Sequence, residues 1–450
     1  MTNDDEVPKV CGPGDVNRRQ FLVRAGIALG AGAFTAVPPR APGVSAQRTD
    51  VGGWRTVRDQ FALTRDLIHM SGFFLASHPK SVRDAIEAHR RGLDTDPVGY
   101  YWANNDRYLV AVLRTAADYL GTDPTDIALT DSTTMGLGLL YGGLQLRAGQ
   151  EILTTTHDHY ATAGSLRLRA ERTDSSVRAI PLYDDPAAAS QAGIVERLAG
   201  AVRPETRVVA VTWVHSGTGV KLPLPEIAGV LAELNADRDE DDRALLCVDG
   251  VHGLGIEAVR LPDLGCDFFV AGCHKWLYGP RGTGLIWGAP TAWPAATATI
   301  PTFDAGAYRG LAEGQASPGV PLAAQMTPGG FHSFEHRWAL DQAFRFHLSV
   351  GKGEIARRIH ELNRRLKDGL SAQSHVRLRT PMADDLSAGI VCFEVDGLSP
   401  EEVVARLRER RIVASVTPYV TRYARLAPSL LTSPEEVDET LRAVGELGRG

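Results

Sequence analysis

Phe268-Phe269-Val270-Ala271-Gly272-Cys273-His274-Lys275-Trp276-Leu277-Tyr278-Gly279-Pro280, followed by Arg281-Gly282-Thr283-Gly284, joins an apolar run to a Gly/Pro-rich turn with a lysine between them. Apolar residues at 268–271 without polar alternation read as a strand buried on both faces. The turn puts Lys275 just past the strand's carboxyl end, where parallel α/β sheets open their ligand clefts. Desolvation in such a place lowers an amine pKa, and the neutral amine is the nucleophile that forms an imine. A solvated loop lysine is the plain alternative for this residue type, but lysines are few among the chain's 48 basic residues and this one has apolar neighbours.

Working outward, the same kind of run recurs. Apolar segments at 127–130, 151–155, 177–181, 208–214, 245–248, 268–271 and 284–287 alternate with helical stretches. That alternation predicts an α/β fold with a mainly parallel seven-stranded sheet between helices. Before it, 54–119 carries helical spacing at 81–91 and 106–120 and predicts a helical arm. After it, 288–330 is rich in Ala, Gly, Pro and Thr, which suits a surface excursion or a subunit contact. One or two long helices are predicted at 333–370. Strands at 389–395 and 412–416 with helices at 400–410 and 433–447 predict a small C-terminal α/β domain. The expected division is a leader at 1–46, a helical arm and part of the small domain at 47–120, a large domain at 121–330, and the long helix with the small domain at 331–450. A length of 450 residues accommodates two domains.

Two more strand ends carry chemistry. In Leu245-Leu246-Cys247-Val248-Asp249-Gly250-Val251-His252 a carboxylate closes a buried strand. An aspartate under a pyridine ring keeps the ring nitrogen protonated, and the protonated ring is an electron sink for a carbanion at a substrate α-carbon. His252 suits a hydrogen bond to such a ring's phenolate oxygen or to an imine, and equally a plain turn. In Asp131-Ser132-Thr133-Thr134-Met135-Gly136 hydroxyls open a predicted helix. They suit N-caps, or a phosphate site built on the free N–H groups of the first turn. A phosphate loop, an aspartate and a lysine in that order point to pyridoxal 5′-phosphate (PLP).

With those motifs in place the chain from 100 to 293 resembles the class V aminotransferases, PLP enzymes of fold-type I, and in its His274-Lys275-Trp276-Leu277 motif the isopenicillin N epimerase-like branch. The resemblance extends over most of the chain beyond the leader. It implies that Lys275 holds PLP as a Schiff base, that Asp249 and His252 act on the ring, and that Thr133, Thr134 and His274 contact the phosphate. Gly272 departs from the pattern, which often has a phosphate-binding serine there. The resemblance also implies that Tyr160 stacks on the pyridine and that Ser216, where relatives often carry asparagine, lies near the phenolate oxygen. Arg425 matches the arginine that takes the substrate carboxylate, with Arg422 as the alternate. Family members are usually homodimers with sites at the subunit boundary, and 329–333, including His332, is the expected loan to the neighbour. The implied substrate is a small molecule, an amino acid or an amino-acid-derived secreted metabolite or peptide, worked on at its amine-bearing carbon. Epimerase and C–S or C–N lyase are the alternatives, and a non-catalytic binding module is the rival of another class. A persulfide route is disfavoured because 415–425 contains no cysteine.

The ends and the composition bound the rest. Arg18-Arg19 followed by an Ala/Gly-rich run at 25–37 and by Val44-Ser45-Ala46 predicts a leader for the twin-arginine translocation machinery, hence a periplasmic or extracellular destination. The run is too short and too glycine-rich for a stable membrane span. Leader and body together are similar in type to the exported class V enzyme of pyoverdine maturation. A net charge of −6 without a basic patch excludes nucleic acid as the expected partner. Five scattered cysteines predict neither a required disulfide nor a structural metal.

Overall fold

The computed structural model describes residues 53–314 and 319–448. The leader predicted at 1–46 lies outside the described residues. β1 (Ile68–His69) comes first, and seven strands then form the central sheet: β2 (Ile127–Thr130), β3 (Glu151–Thr155), β4 (Ser176–Ile180), β5 (Thr206–Thr212), β6 (Leu245–Asp249), β7 (Phe268–Gly272) and β8 (Gly284–Gly288). Their order is β2-β8-β7-β6-β5-β3-β4. β7, β6, β5, β3 and β4 pair in parallel, and β8 pairs antiparallel with both β7 and β2. β2 therefore points the same way as β7, and every strand of the sheet except β8 ends on one edge.

The mainly parallel sheet expected from the sequence is present. The strand predicted at 208–214 runs two residues earlier, because Val214 leaves the ladder to pair with Lys221 across a tight loop. The absence of polar alternation has a direct cause in packing. Successive residues point to opposite faces, and both faces are covered. Ile152, Val208, Ala210, Leu245, Cys247 and Val270 enter one core with Leu137, Leu140 and Leu166 of the helices Thr133–Gly143 and Tyr160–Ala170. Their neighbours Leu153, Val209, Val211, Leu246, Val248 and Phe269 enter the other.

The arm forms helices Lys80–Thr95 and Pro97–Leu120. The second is started by Asp96, whose side chain accepts from the Gly99 N–H, and stopped by left-handed Gly121. Both pack on the helix Phe334–Val350. Val112, Ala116 and Leu120 share a core with Ile127, Leu129 and Phe269. The arm thus joins the large domain, while β1 reaches the small one. The long helical region is two helices, Phe334–Val350 and Lys352–Ser371, broken at Gly351 with φ 96°.

The small domain is an antiparallel sheet β12-β13-β10-β9 made of β9 (Val376–Leu378), β10 (Val391–Val395), β12 (Ser415–Val416) and β13 (Ala424–Leu426). β11 (Ile412–Val413) pairs in parallel with β1. The single strand predicted at 412–416 is therefore two, serving different sheets. Capping boxes at Ser399 and Ser433 start its helices Pro400–Glu409 and Pro434–Leu447. Among the described residues no helix is long and apolar enough to cross a membrane, and no group of three His, Cys, Asp or Glu side chains is placed to hold a metal.

Candidate active site

Lys275 lies three residues beyond β7, on a turn closed by hydrogen bonds from the Tyr278 N–H to the Lys275 carbonyl (3.0 Å) and from the Gly279 N–H to the Cys273 carbonyl (2.8 Å). Its Nζ is 3.2 Å from His252 Nε2. On the other side of that imidazole the Trp276 indole N–H donates to Nδ1 at 3.3 Å. Burial pushes the Lys275 amine down to about 8; the negative charge of Asp249 resists this and the Arg425 guanidinium adds to it. On the order of a tenth is therefore the free amine at pH 7, and about half at pH 8.

Asp249 is the last residue of β6 and only 3% exposed. Its Oδ1 accepts from the Val251 N–H at 3.1 Å. Burial raises its carboxyl to about 6, against the pull of that N–H and of Lys275. A buried carboxylate with so little compensation favours a cationic ligand group beside it.

The phosphate end is built at the edge where β2 runs into the helix Thr133–Gly143. Ser132 is the cap, its hydroxyl accepting from the Met135 N–H at 3.1 Å. That leaves Thr133 and Thr134 in the first turn, where backbone N–H groups have no intrahelical acceptor. Thr133 Oγ1 accepts from the Gly272 N–H at 2.8 Å, which ties this turn to the end of β7. A Cβ on Gly272 would fall 2.9 Å from Thr133 Oγ1 and 3.0 Å from His274 Cε1. The serine that the family pattern favours has no room here without displacing one of them. His274 is half-buried on the same rim, and its imidazole pKa is lowered by burial and by Lys275.

Arg425 reaches the cluster from β13 in the small domain. The residue is 4% exposed. Its guanidinium donates to the Ser415 hydroxyl (3.0 Å), the Ser216 carbonyl (2.8 Å) and the Val416 carbonyl (3.3 Å), and it lies 4.5 Å over the Phe73 ring. None of these partners carries a negative charge. Ser216 itself is buried, and its hydroxyl is 2.6 Å from the Tyr419 hydroxyl.

Two expectations are corrected. Arg422, the alternate carboxylate anchor, is exposed and ion-paired with Glu401, because it precedes β13 and stays outside the small sheet that buries Arg425. Tyr160 is 73% exposed at the first turn of its helix and does not enter the cluster. The ring beside the site is that of His159, the N-cap of that helix, whose pKa is lowered by burial and by the charges of Lys275 and Arg425. Asp158 holds this corner, accepting from Thr154 Oγ1 (2.8 Å), the Thr155 N–H (2.8 Å) and the Thr212 N–H (2.7 Å). His332 bonds Asp131 of its own chain at 3.2 Å.

The sequence reading missed His159, Tyr419 and Phe73. His159 stood in the run Thr156-His157-Asp158-His159-Tyr160, one residue from the ring chosen. Phe73 and Tyr419 come from segments with no motif, so only the fold brings them in.

The assembled groups fit PLP. Lys275 would carry it, Asp249 would face its ring nitrogen, His159 would flank the ring, and the helix turn at Thr133–Thr134 with His274 would hold the phosphate. The space that a Cβ on Gly272 would fill belongs to that cradle.

Comparison with known proteins agrees. The family model described as aminotransferase class-V matches residues 111–423. The chain is 26% identical over 410 residues to isopenicillin N epimerase of Streptomyces clavuligerus, covering 88% of this chain and 99% of that enzyme. It is 30% identical to a cysteine desulfurase of Salmonella gallinarum over 165 residues, which is 36% of this chain and 37% of the relative. Among solved structures, a C-DES variant with glycine covalently linked to its PLP cofactor superposes with TM-score 0.77 at 23% identity, covering 86% of this chain and 99% of that one. The cysteine desulfurase of Thermococcus onnurineus superposes with TM-score 0.74 at 21% identity, covering 88% and 98%. The chain belongs to the class-V aminotransferase family of PLP-dependent enzymes.

Proposed function

We propose that this enzyme binds an amino acid, or a peptide-like metabolite derived from one, by its carboxylate on Arg425 and moves the proton at the amine-bearing carbon with Lys275. The observation that carries the reading is Arg425 itself: a buried guanidinium whose described partners are a hydroxyl and two carbonyls. Leaving a cation in that state is costly, and a planar carboxylate answers it with paired hydrogen bonds. PLP, when bound, supplies the electron sink that makes the proton acidic. The chain's own residues do the rest. Lys275 is partly unprotonated near neutral pH and can accept and return a proton. Asp249 would supply the negative charge that keeps the ring nitrogen of bound PLP protonated, and the Tyr419 hydroxyl bonds the Ser216 hydroxyl beside Arg425.

Epimerisation is the second reading, favoured by similarity to isopenicillin N epimerase along nearly the whole of both chains. Persulfide chemistry is disfavoured, since Cys247, Cys266, Cys273 and Cys392 are all buried and burial pushes each thiol pKa up. The test is incubation with a panel of L- and D-amino acids and short peptides in D2O, followed by NMR and chiral analysis. Deuterium at the α-carbon with inversion supports epimerase, and amine loss to a keto acid supports aminotransfer. No exchange at any α-carbon would sink both.

Two further proposals concern the setting. Export by the twin-arginine route rests on Arg18-Arg19 and the run after them; changing both to lysine should keep the protein inside the cell, and continued export would refute it. A homodimer is supported by the exposed apolar side chains of Trp102, Ile300, Phe303 and Phe331, which a second copy would cover. A monomeric mass in light scattering would contradict it.

A further inference from the structure

We infer that Trp276 is a positioning residue: its indole N–H fixes the His252 ring in the form that carries its proton on Nε2, and that N–H donates to the Lys275 amine. An indole nitrogen is a donor only. Because it lies 3.3 Å from His252 Nδ1, Nδ1 must be the bare nitrogen. The neutral ring then has its single proton on Nε2, 3.2 Å from Lys275 Nζ. An ammonium has no lone pair with which to accept that hydrogen, so the contact selects the free amine. One imidazole is thus held from both sides by two consecutive residues of the chain.

The surroundings keep the arrangement in place. His252 is 4% exposed, and the titratable and charged groups that act on it are Lys275, Arg425, His159 and His274, none of which favours a second proton on the ring. Phe73 meets the imidazole edge-on at 5.8 Å and stacks on the indole at 6.2 Å. A Cβ on Gly389 would fall 2.5 Å from the far edge of the indole, and one on Gly255 2.5 Å from the Trp276 carbonyl carbon. The indole is 1% exposed and has no second place to go. The inference rests on Lys275 as the reactive amine and adds what sets its protonation and aim: His252 acts on Lys275, and Trp276 acts through His252.

The test is 15N NMR of the histidine-labelled protein, with PLP bound and after its removal, using His252→Gln to assign the ring. The expected wild-type spectrum shows a neutral ring with its proton on Nε2 at pH 9, above the value of about 8 at which the Lys275 amine becomes free. In Trp276→Phe, which keeps an apolar ring but no N–H, the proton should spread over both nitrogens. The pH profile of the lysine-bound cofactor absorbance should move, and kcat should fall about tenfold, equivalent to about 1.4 kcal/mol, with KM within about twofold. A wild-type proton on Nδ1, a charged ring, or an unchanged tautomer in Trp276→Phe overturns the inference. The wild-type spectrum decides even if that variant does not fold. Failure to load PLP would strike at Lys275 as the cofactor lysine instead, because the tautomer is also read in the cofactor-free protein.

Discussion

Replacing Asp249 by asparagine should stabilise the cofactor-free protein and at the same time loosen its hold on PLP. The folded chain raises this carboxyl from 3.8 to about 6, chiefly by burial. At 1.36 kcal/mol per pKa unit, that shift costs about 3 kcal/mol of stability once the group is ionised. The sign follows from proton binding: between pH 3.8 and about 6 the folded state holds the proton more tightly than the unfolded state, so stability falls as pH rises through that window and is level above it. Asparagine has nearly the same shape, keeps an oxygen for the Val251 N–H and has no charge to bury. Urea unfolding of the cofactor-free proteins should therefore place the variant about 3 kcal/mol above wild type at pH 8, with roughly half of that gap left at pH 5. In the loaded protein the sign reverses, because the ring nitrogen loses its counter-charge; retention of PLP on dialysis should fall at least about tenfold. A variant no more stable than wild type at pH 8, or a gap independent of pH, would refute the assignment of Asp249 as a strained, ionised carboxylate awaiting a cation.

Other side chains give sharper contrasts in pairs. Arg425→Gln should lower kcat/KM by about 100-fold or more, since it removes the buried partner of a substrate carboxylate, whereas Arg422→Gln should stay within about twofold, its exposed pair with Glu401 being worth under about 1 kcal/mol; steady-state kinetics on the substrate found in the panel read both. His159→Ala should weaken PLP binding about tenfold or more through loss of the flanking ring, while Tyr160→Phe should leave it unchanged, as followed by cofactor absorbance during titration.

Much of this was legible before any fold was built. Strands buried on both faces announce themselves as unbroken apolar runs, so the sheet and the position of Lys275 and Asp249 at strand ends follow from the residues. Strand ends are also where chemistry concentrates, so Thr133 stands out there, whereas Arg425, in the middle of β13, is reached only through the family resemblance. What escaped was set by direction rather than type. Tyr160 and His159 are adjacent and both aromatic, and only the start of a helix at Tyr160, with His159 as its cap, decides which ring turns inward. Arg422 and Arg425 differ by three positions on one turn, and the pairing of Arg425 with Cys392 and Ser415 in the small sheet selects the buried one. Phe73 precedes two exposed residues, Phe74 and Leu75, in a segment without periodicity, so its place beneath Arg425 depends on the packing of the N-terminal segment over the lysine turn.

The most direct test of the central claim is the absorbance spectrum of the purified protein beside Lys275→Ala, each supplied with PLP, before and after borohydride reduction. An imine band in the wild type that reduction fixes to the chain at Lys275, and that the variant lacks, is the predicted result. A wild type that stays colourless with PLP present, or a variant that retains the same covalent band, would contradict Lys275 as the cofactor lysine.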